Sequence, residues 1–186
     1  MNPHNPVAIR DQVLLAATDL GLGRGLDPVL DPWPMSRRGG TALFLTMLQD
    51  RLPSWLNRLN GLSGQPAADP IGVLTAAAIS TIDFFAEMQT AGLGTFGSIS
   101  ELIRVRRALS THGLTYGLAI EPLARYLRLQ QTAGRIGDGD PEEIAELLLA
   151  GCFSQAFEEL IFGADLMAPR PARAARLVHS LRLDLG

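Results

Sequence analysis

Apolar residues recur every three or four positions along most of the chain, which is the spacing that one helix face requires. No segment shows the strict alternation of a half-buried strand. With a helix that is kinked or restarted at Pro53 and at most one helical turn between Leu26 and Met35, the sequence predicts an all-α fold of eight or nine helices. The main helical segments are Val7–Leu20, Thr41–Leu59, Pro70–Ala91, Ile99–Thr111, two segments within Leu118–Gly163, and Ala172–Leu183.

Residues typical of helix ends mark several boundaries. An aspartate directly before a proline predicts a capped helix start at Asp69 and again at Asp140. Ser98 or Ser100 is a further candidate cap, and Glu101 is in the capping-box position if Ser98 is the cap. Gly134 stands where a helix would end. Three glycines are expected to break the chain after the third long helix: Gly92, Gly94 and Gly97.

Charge, cysteine content and the absence of membrane and export patterns limit the class of protein that this sequence predicts. The chain has 186 residues and a net charge of −3, which gives no overall attraction to nucleic acid or to acidic membranes. Cys152 is the single cysteine, so neither an intrachain disulfide nor a cysteine-based metal site is expected. We also expect no bilayer-spanning run and no export signal, because neither pattern is evident. The expectation is a cytoplasmic protein without a membrane partner.

Motifs for catalysis are missing from the sequence. It contains no zinc-protease motif, nucleophile elbow, phosphate loop or dinucleotide fingerprint. The three histidines, His4, His112 and His179, do not have metal-ligand spacing, and His112 is best explained as a helix-end residue. Cys152 lies in an apolar helical run and is best explained as a packing residue. The sequence therefore predicts no enzyme, no metal site and no cofactor.

A set of aromatic and methionine residues lies on helices that are expected to share a core. One interpretation is ordinary packing, and the other is an apolar cavity for a small effector molecule, which all-helical proteins often place between helices. The two tyrosines are the strongest candidates, because a buried phenol needs a hydrogen-bond partner that a ligand can supply. The candidate ligand-binding residues are Phe84, Phe85, Met88, Phe96, Tyr116 and Tyr126.

Basic residues near the amino terminus suggest a nucleic-acid contact. Arg37 and Arg38, beside Ser36 and Thr41, have the character of phosphate-facing side chains at a helix start. A solvated loop is the alternative, because the first sixty residues hold six arginines against five aspartates.

Two stretches of the chain resemble the tetracycline-repressor (TetR) family of bacterial regulators. IRDQVLLAATDLGLGRG over Ile9–Gly25 is similar to the first helix of that family and its closing glycine. LARYLRLQQTAGRI and DPEEIAELLLAGCF, within Gly97–Gly163, are similar to its effector and dimerisation region. Between them, Leu26–Pro34 is shorter than the family's second helix and contains prolines. Two adjacent glycines, Gly39 and Gly40, would cost about 2 kcal/mol relative to alanines inside a helix.

This resemblance implies a two-part organisation and a set of partners. Residues 1–50 would form a degenerate helix-turn-helix region that binds operator DNA, and residues 51–186 would bind a small apolar effector and dimerise. The alternative is a relative that has lost direct DNA binding and acts through ligand or protein partners. The homodimer would form through the last two long helices of each subunit. The implied interface residues are Leu148, Phe153, Phe157, Leu160, Leu177 and Leu181.

Overall fold

The computed structural model describes residues 5–22, 37–64 and 69–183 of the chain, and within these ranges it is helical without β-strand. The all-α class is confirmed. The described residues form seven α-helices and two short 3-10 helices, and the turn predicted between Leu26 and Met35 lies outside them. The α-helices are α1 (Pro6–Asp19), α2 (Arg37–Gly61), α3 (Pro70–Phe96), α4 (Ile99–Thr111), α5 (Gly117–Thr132), α6 (Pro141–Phe162) and α7 (Arg170–Ser180). The 3-10 helices are Leu62–Gly64 and Ala164–Leu166.

The two aspartate caps predicted from the sequence are confirmed. Asp140 accepts hydrogen bonds from the backbone N–H groups of Glu142 and Glu143 at 2.8 and 3.1 Å. Asp69 accepts one from the N–H of Gly72 at 2.8 Å. Each carboxylate satisfies donors that the first turn of a helix leaves unpaired, so the local sequence is enough to specify where α3 and α6 begin.

The capping box predicted at the start of α4 is wrong. Ser98 precedes the helix, but its side chain makes no cap bond and lies 3.1 Å from the hydroxyl of Ser100. Glu101 instead accepts hydrogen bonds from Thr41 and Arg104. Glu101 therefore binds Thr41 of α2, and not the backbone N–H of Ser98 that a capping box would require.

The glycine breaks predicted after the third long helix are also wrong in part, because α3 continues through Gly92 and Gly94 to Phe96. The reason is a close approach between α2 and α3 in which glycine is required. A Cβ atom built on Gly40 would lie 3.0 Å from the Cα atom of Gly94, and the reverse construction gives the same distance. The missing side chains let the two backbones come together, so the glycines sit inside helices.

The expectation that no segment is long enough to span a bilayer does not hold for α3. By length and composition this helix of 27 residues could cross a membrane. The central helix of a water-soluble protein passes the same test, and 39% of the qualifying stretch is buried within the protein. The observation is weak and assigns no location to the chain.

The chain divides into two compact units. The first comprises Met1–Ser54 and Glu87–Thr115, and in it α1 packs against α4. The second comprises Trp55–Ala86 and Tyr116–Gly186, where α5 packs against α6 and α6 against α7. The first unit thus includes a segment that the sequence pattern assigned to the carboxy-terminal region beyond residue 50.

Candidate functional site

The structure describes one of the four predicted DNA-contacting side chains. Ser36 lies outside the described residues, and α2 begins at Arg37, but the side chains of Arg37 and Arg38 are not described. Thr41 is 1% exposed, and its hydroxyl donates to a carboxylate oxygen of Glu101 at 3.0 Å. Thr41 is therefore a buried structural residue of the first unit and does not present its side chain to a phosphate.

Thr41 belongs to a polar network that joins three helices of the first unit. The hydroxyl of Thr95 in α3 donates to that of Thr41 at 3.4 Å. Arg104 binds the second carboxylate oxygen of Glu101 at 3.0 Å and reaches the backbone carbonyl of Leu20 at 3.4 Å. Gly40 and Gly94 directly precede these threonines in sequence, so the network lies beside the close approach of α2 and α3. Its partners are distant in sequence, and the sequence carries no signal for it beyond the glycines themselves.

Two of the predicted ligand-binding residues, Phe84 and Phe85, belong to an aromatic cluster in the second unit. The rings of Trp55 and Phe84 are stacked, with centroids 4.1 Å apart and planes inclined by 6°. Phe85 is tilted against both rings, and Phe153 meets Phe85 edge-on at 5.5 Å. The indole N–H of Trp55 donates to the hydroxyl of Thr81 at 3.2 Å. Trp55 and Phe84 are buried and stack on one another as core structure, whereas Phe153 is 48% exposed.

The remaining predicted ligand residues do not form one group. Met88 is buried in the first unit, and Phe96 belongs to the same unit, where it is partly exposed and packs edge-on against Phe44 at 5.8 Å. Tyr116 directly precedes α5, and about half of its surface is exposed. Tyr126, in contrast, is completely buried. The structure thus places the six residues in two compact units.

Tyr126 is the predicted ligand residue whose hydroxyl most clearly lacks a hydrogen-bond partner among the described residues. Its side chain is 0% exposed, yet its hydroxyl has no hydrogen-bond partner among the described residues. Burial raises the pKa of Tyr126 to about 12; the carboxylate of Asp69 adds to this effect and the guanidinium of Arg135 opposes it. The phenol therefore stays protonated at neutral pH and can donate a hydrogen bond.

Two further buried polar atoms lie on α5 and on the segment that packs against it. The Nε atom of Arg125 has no partner among the described residues, although its Nη2 atom donates to the side-chain oxygen of Asn60 at 2.8 Å. The hydroxyl of Ser63 is also buried without a described partner, and the 3-10 helix that holds it packs against α5. Arg135 binds the neutral side-chain oxygen of Gln130 at 3.1 Å. The sequence pattern did not identify these residues, because nothing local links them.

One side of α6 carries large apolar side chains that are exposed in the single chain. These residues are 48–61% exposed, and the helical period of 3.6 residues places them on the same side of the helix. Monomeric soluble proteins rarely expose contiguous apolar patches of this kind unless a partner covers them. The row, which we call the α6 apolar row, consists of Leu147, Phe153, Phe157 and Ile161.

The predicted dimer-interface residues fall into two groups. Phe153 and Phe157 belong to the α6 apolar row, and Leu160, Leu177 and Leu181 are partly exposed. Leu148 is 2% exposed and lies in the core of the second unit, so its side chain is not available to a partner. Its neighbour Leu147 is the residue that faces outwards at this turn.

A buried charge cluster fixes α7 to the second unit. Glu159, which is itself buried, pairs with Arg170 and with the buried Arg173. Arg170 also binds Asp83 in α3 at 2.7 Å, and burial lowers the pKa of Arg173. The sequence places two adjacent glutamates, Glu158 and Glu159, before the arginines of RPAR, and nothing local shows which glutamate is buried.

The residues that sequence reasoning assigned to structure keep structural roles. His112 follows α4, and its Nε2 atom lies 2.7 Å from a carboxylate oxygen of Asp19 at the end of α1. Cys152 is fully buried, and burial raises its pKa to about 12, which keeps the thiol protonated and unreactive at neutral pH. Within the described ranges no group of three or more histidine, cysteine or acidic side chains could hold a metal ion.

No protein-family model, no curated protein and no solved structure matches this chain.

Proposed function

We propose that this chain is a TetR-like transcriptional regulator that acts as a homodimer and responds to a small effector molecule. The observation that supports it most strongly is the α6 apolar row. A helix that buries one face in its own subunit and exposes large apolar side chains on another has the design of a helix in a subunit interface. The exposed edge of α7, beside α6, would complete such an interface.

Effector responsiveness is the second part of the proposal. The hydroxyl of Tyr126 has no described partner, which is the feature expected of a residue that binds a ligand. An effector would change DNA binding only if it bound one arrangement of the dimer more tightly than another, and thereby shifted the population between them.

DNA contact through the start of α2 is the third part. The first unit contains eight arginines against seven acidic residues, a formal charge of +1, and the corresponding balance in the second unit is −4. The excess is small, so binding would depend on a few well-placed phosphate contacts. Arg37 and Arg38 are the proposed contacts, together with backbone N–H groups of the first helical turn.

A regulator relative without direct DNA binding is the second candidate. The buried position of Thr41 favours it, because a residue assigned to the DNA-reading surface is instead held by Glu101. Such a protein would keep the dimer and the effector site and would act through a protein partner.

Fluorescence anisotropy with mixed-sequence duplex DNA over a salt series distinguishes the two candidates. For the DNA-binding regulator, the double variant Arg37→Ala/Arg38→Ala should bind more weakly, and the salt slope should fall by roughly one for each phosphate that is no longer bound. The matched control is Arg106→Ala/Arg107→Ala, which removes the same charge from exposed positions of α4. If both double variants lose DNA affinity equally, the binding is only a non-specific charge attraction. If the unmodified protein does not bind DNA, the second candidate is favoured.

A further inference from the structure

The hydroxyl of Tyr126 is buried without a hydrogen-bond partner among the described residues. Removing a phenolic hydroxyl from water without supplying a hydrogen bond destabilises a protein, and folded proteins rarely retain such a group without a reason. Leu123 and Leu127, on the same helix, are almost completely buried, so the immediate helix surface is apolar. The hydroxyl of Tyr126 is thus an unused donor beside buried apolar side chains of its own helix.

The other unused polar atoms of this region have compatible chemistry. The Nε–H group of Arg125 can only donate, and the hydroxyl of Ser63 can donate as well. The described partner of Arg125 is the neutral side chain of Asn60, and that of Arg135 is the neutral side chain of Gln130. Among the described residues, this region therefore has three buried donor groups without an acceptor.

We infer that Tyr126 donates a hydrogen bond to a small, mainly apolar molecule that carries a carbonyl or carboxylate oxygen. This inference rests on the proposed effector-binding function and specifies the chemistry of its ligand. Apolar side chains of α5 supply contact with the body of the molecule, and the phenol fixes its oxygen atom. Asp69 opposes negative charge at this point while Arg135 favours it, so a neutral ketone and a carboxylate are both included in the test.

Matched pairs of small molecules test the hydrogen bond directly. The probes are acetophenone, 2-nonanone and 4-tert-butylcyclohexanone, each compared with the hydrocarbon in which C=CH2 replaces C=O, together with benzoate and nonanoate. At least one oxygen-bearing probe should raise the Tm of the unmodified protein and bind roughly tenfold more tightly than its hydrocarbon counterpart. Tyr126→Phe should abolish that preference, whereas Tyr116→Phe should keep it. Absence of any oxygen preference in the unmodified protein, or its persistence in Tyr126→Phe, would overturn the inference.

Stability without added molecules supplies an independent readout. Tyr126→Phe removes the unpartnered hydroxyl and keeps the ring, so its Tm should rise by roughly 2–4 °C. Tyr116→Phe, at a half-exposed position, should leave the Tm within about 1 °C. A fall in the Tm of Tyr126→Phe would mean that the hydroxyl already has a structural partner, and the inference would fail.

The outcome is separable from that of the proposed function. DNA binding in the anisotropy assay with no oxygen preference among the probes would remove this ligand assignment alone. Oxygen preference without DNA binding would support the assignment and favour the second candidate function.

Discussion

Glu159 is the residue whose replacement should disturb this protein most. Its carboxylate is buried and pairs with two arginines, of which Arg173 is also buried. The buried Arg173 depends on the glutamate for charge compensation, whereas Arg170 is partly exposed and also pairs with Asp83. Removing one member of a buried charged group strongly lowers the free energy of unfolding. Replacing the whole group by apolar residues often changes it little.

Glu159→Gln should therefore lower the free energy of unfolding by about 3–5 kcal/mol, because it removes a negative charge and leaves buried arginine charge uncompensated. Urea denaturation followed by circular dichroism measures this loss. The matched control is Glu146→Gln on the same helix, where the side chain is exposed. Its effect should stay within about 0.5 kcal/mol. Similar losses in the two variants would show that the buried cluster has no special role.

At the residue scale, the sequence predicts what local chemistry decides. Asp69 and Asp140 cap helices because the donors they satisfy lie within three residues. The role of Thr41 could not be predicted in this way, since its partner Glu101 is sixty residues distant. A polar residue near a basic pair looks like a surface residue until the helix that covers it is known.

Helices α2 and α3 contain glycines, although glycine has a low helix propensity. Glycine is about 1 kcal/mol less favourable than alanine inside a helix, so Gly40 was expected to be costly in a helix and Gly94 was expected to break the chain. The structure keeps both glycines inside helices, with a constructed Cβ on either one 3.0 Å from the other's Cα atom. The close approach also allows Thr41 and Thr95 to form their hydrogen bond.

Gly94→Ala should consequently lower the free energy of unfolding by about 1–3 kcal/mol, although alanine is the better helix former. The added methyl group meets backbone atoms of α2, which cannot rotate away as a side chain can. Gly61→Ala is the control, because a Cβ atom there would meet nothing within 4 Å and should stabilise the protein by up to about 1 kcal/mol. Thermal or urea unfolding measures both. Stabilisation by Gly94→Ala would contradict the close helix contact.

Element boundaries were predictable where periodicity and caps agree. The helix predicted over Ile99–Thr111 is α4 with the same bounds, and the predicted end at Gly134 follows the observed end of α5 by two residues. The extension of α3 to Phe96 was not predictable, because a glycine required for close packing looks the same in sequence as a glycine that ends a helix.

For the whole molecule, the periodic pattern predicted an all-α fold, but it could not specify which surfaces meet. Apolar positions on α6 occur nearly all around the helix, so the sequence could not distinguish Leu147, which is exposed, from Leu148, which is buried. For the same reason, the sequence could not show that the predicted ligand residues lie in two different compact units. The exposed side chains of α6 identify the residue whose replacement tests the proposed dimer.

Phe157→Glu is the variant for that experiment. Its ring is 49% exposed within the α6 apolar row, so a carboxylate can replace it without entering the subunit core. In a two-fold dimer each substitution acts on both subunits, and two glutamates beside the symmetry axis would repel each other in a desolvated setting. Sedimentation velocity should show a dimer for the unmodified protein and a monomer for Phe157→Glu, with unchanged helix content.

Leu15→Glu controls for the general effect of placing a charge on an exposed apolar site. Leu15 is 52% exposed on α1 in the first unit and is not part of the proposed interface, so this variant should remain dimeric. Loss of the dimer in both variants would point to a different interface or to aggregation through scattered apolar residues. A dimer that survives Phe157→Glu would remove α6 from the interface and, with it, the strongest support for a TetR-like arrangement. The regulator proposal therefore depends on a partner chain covering this one helix face.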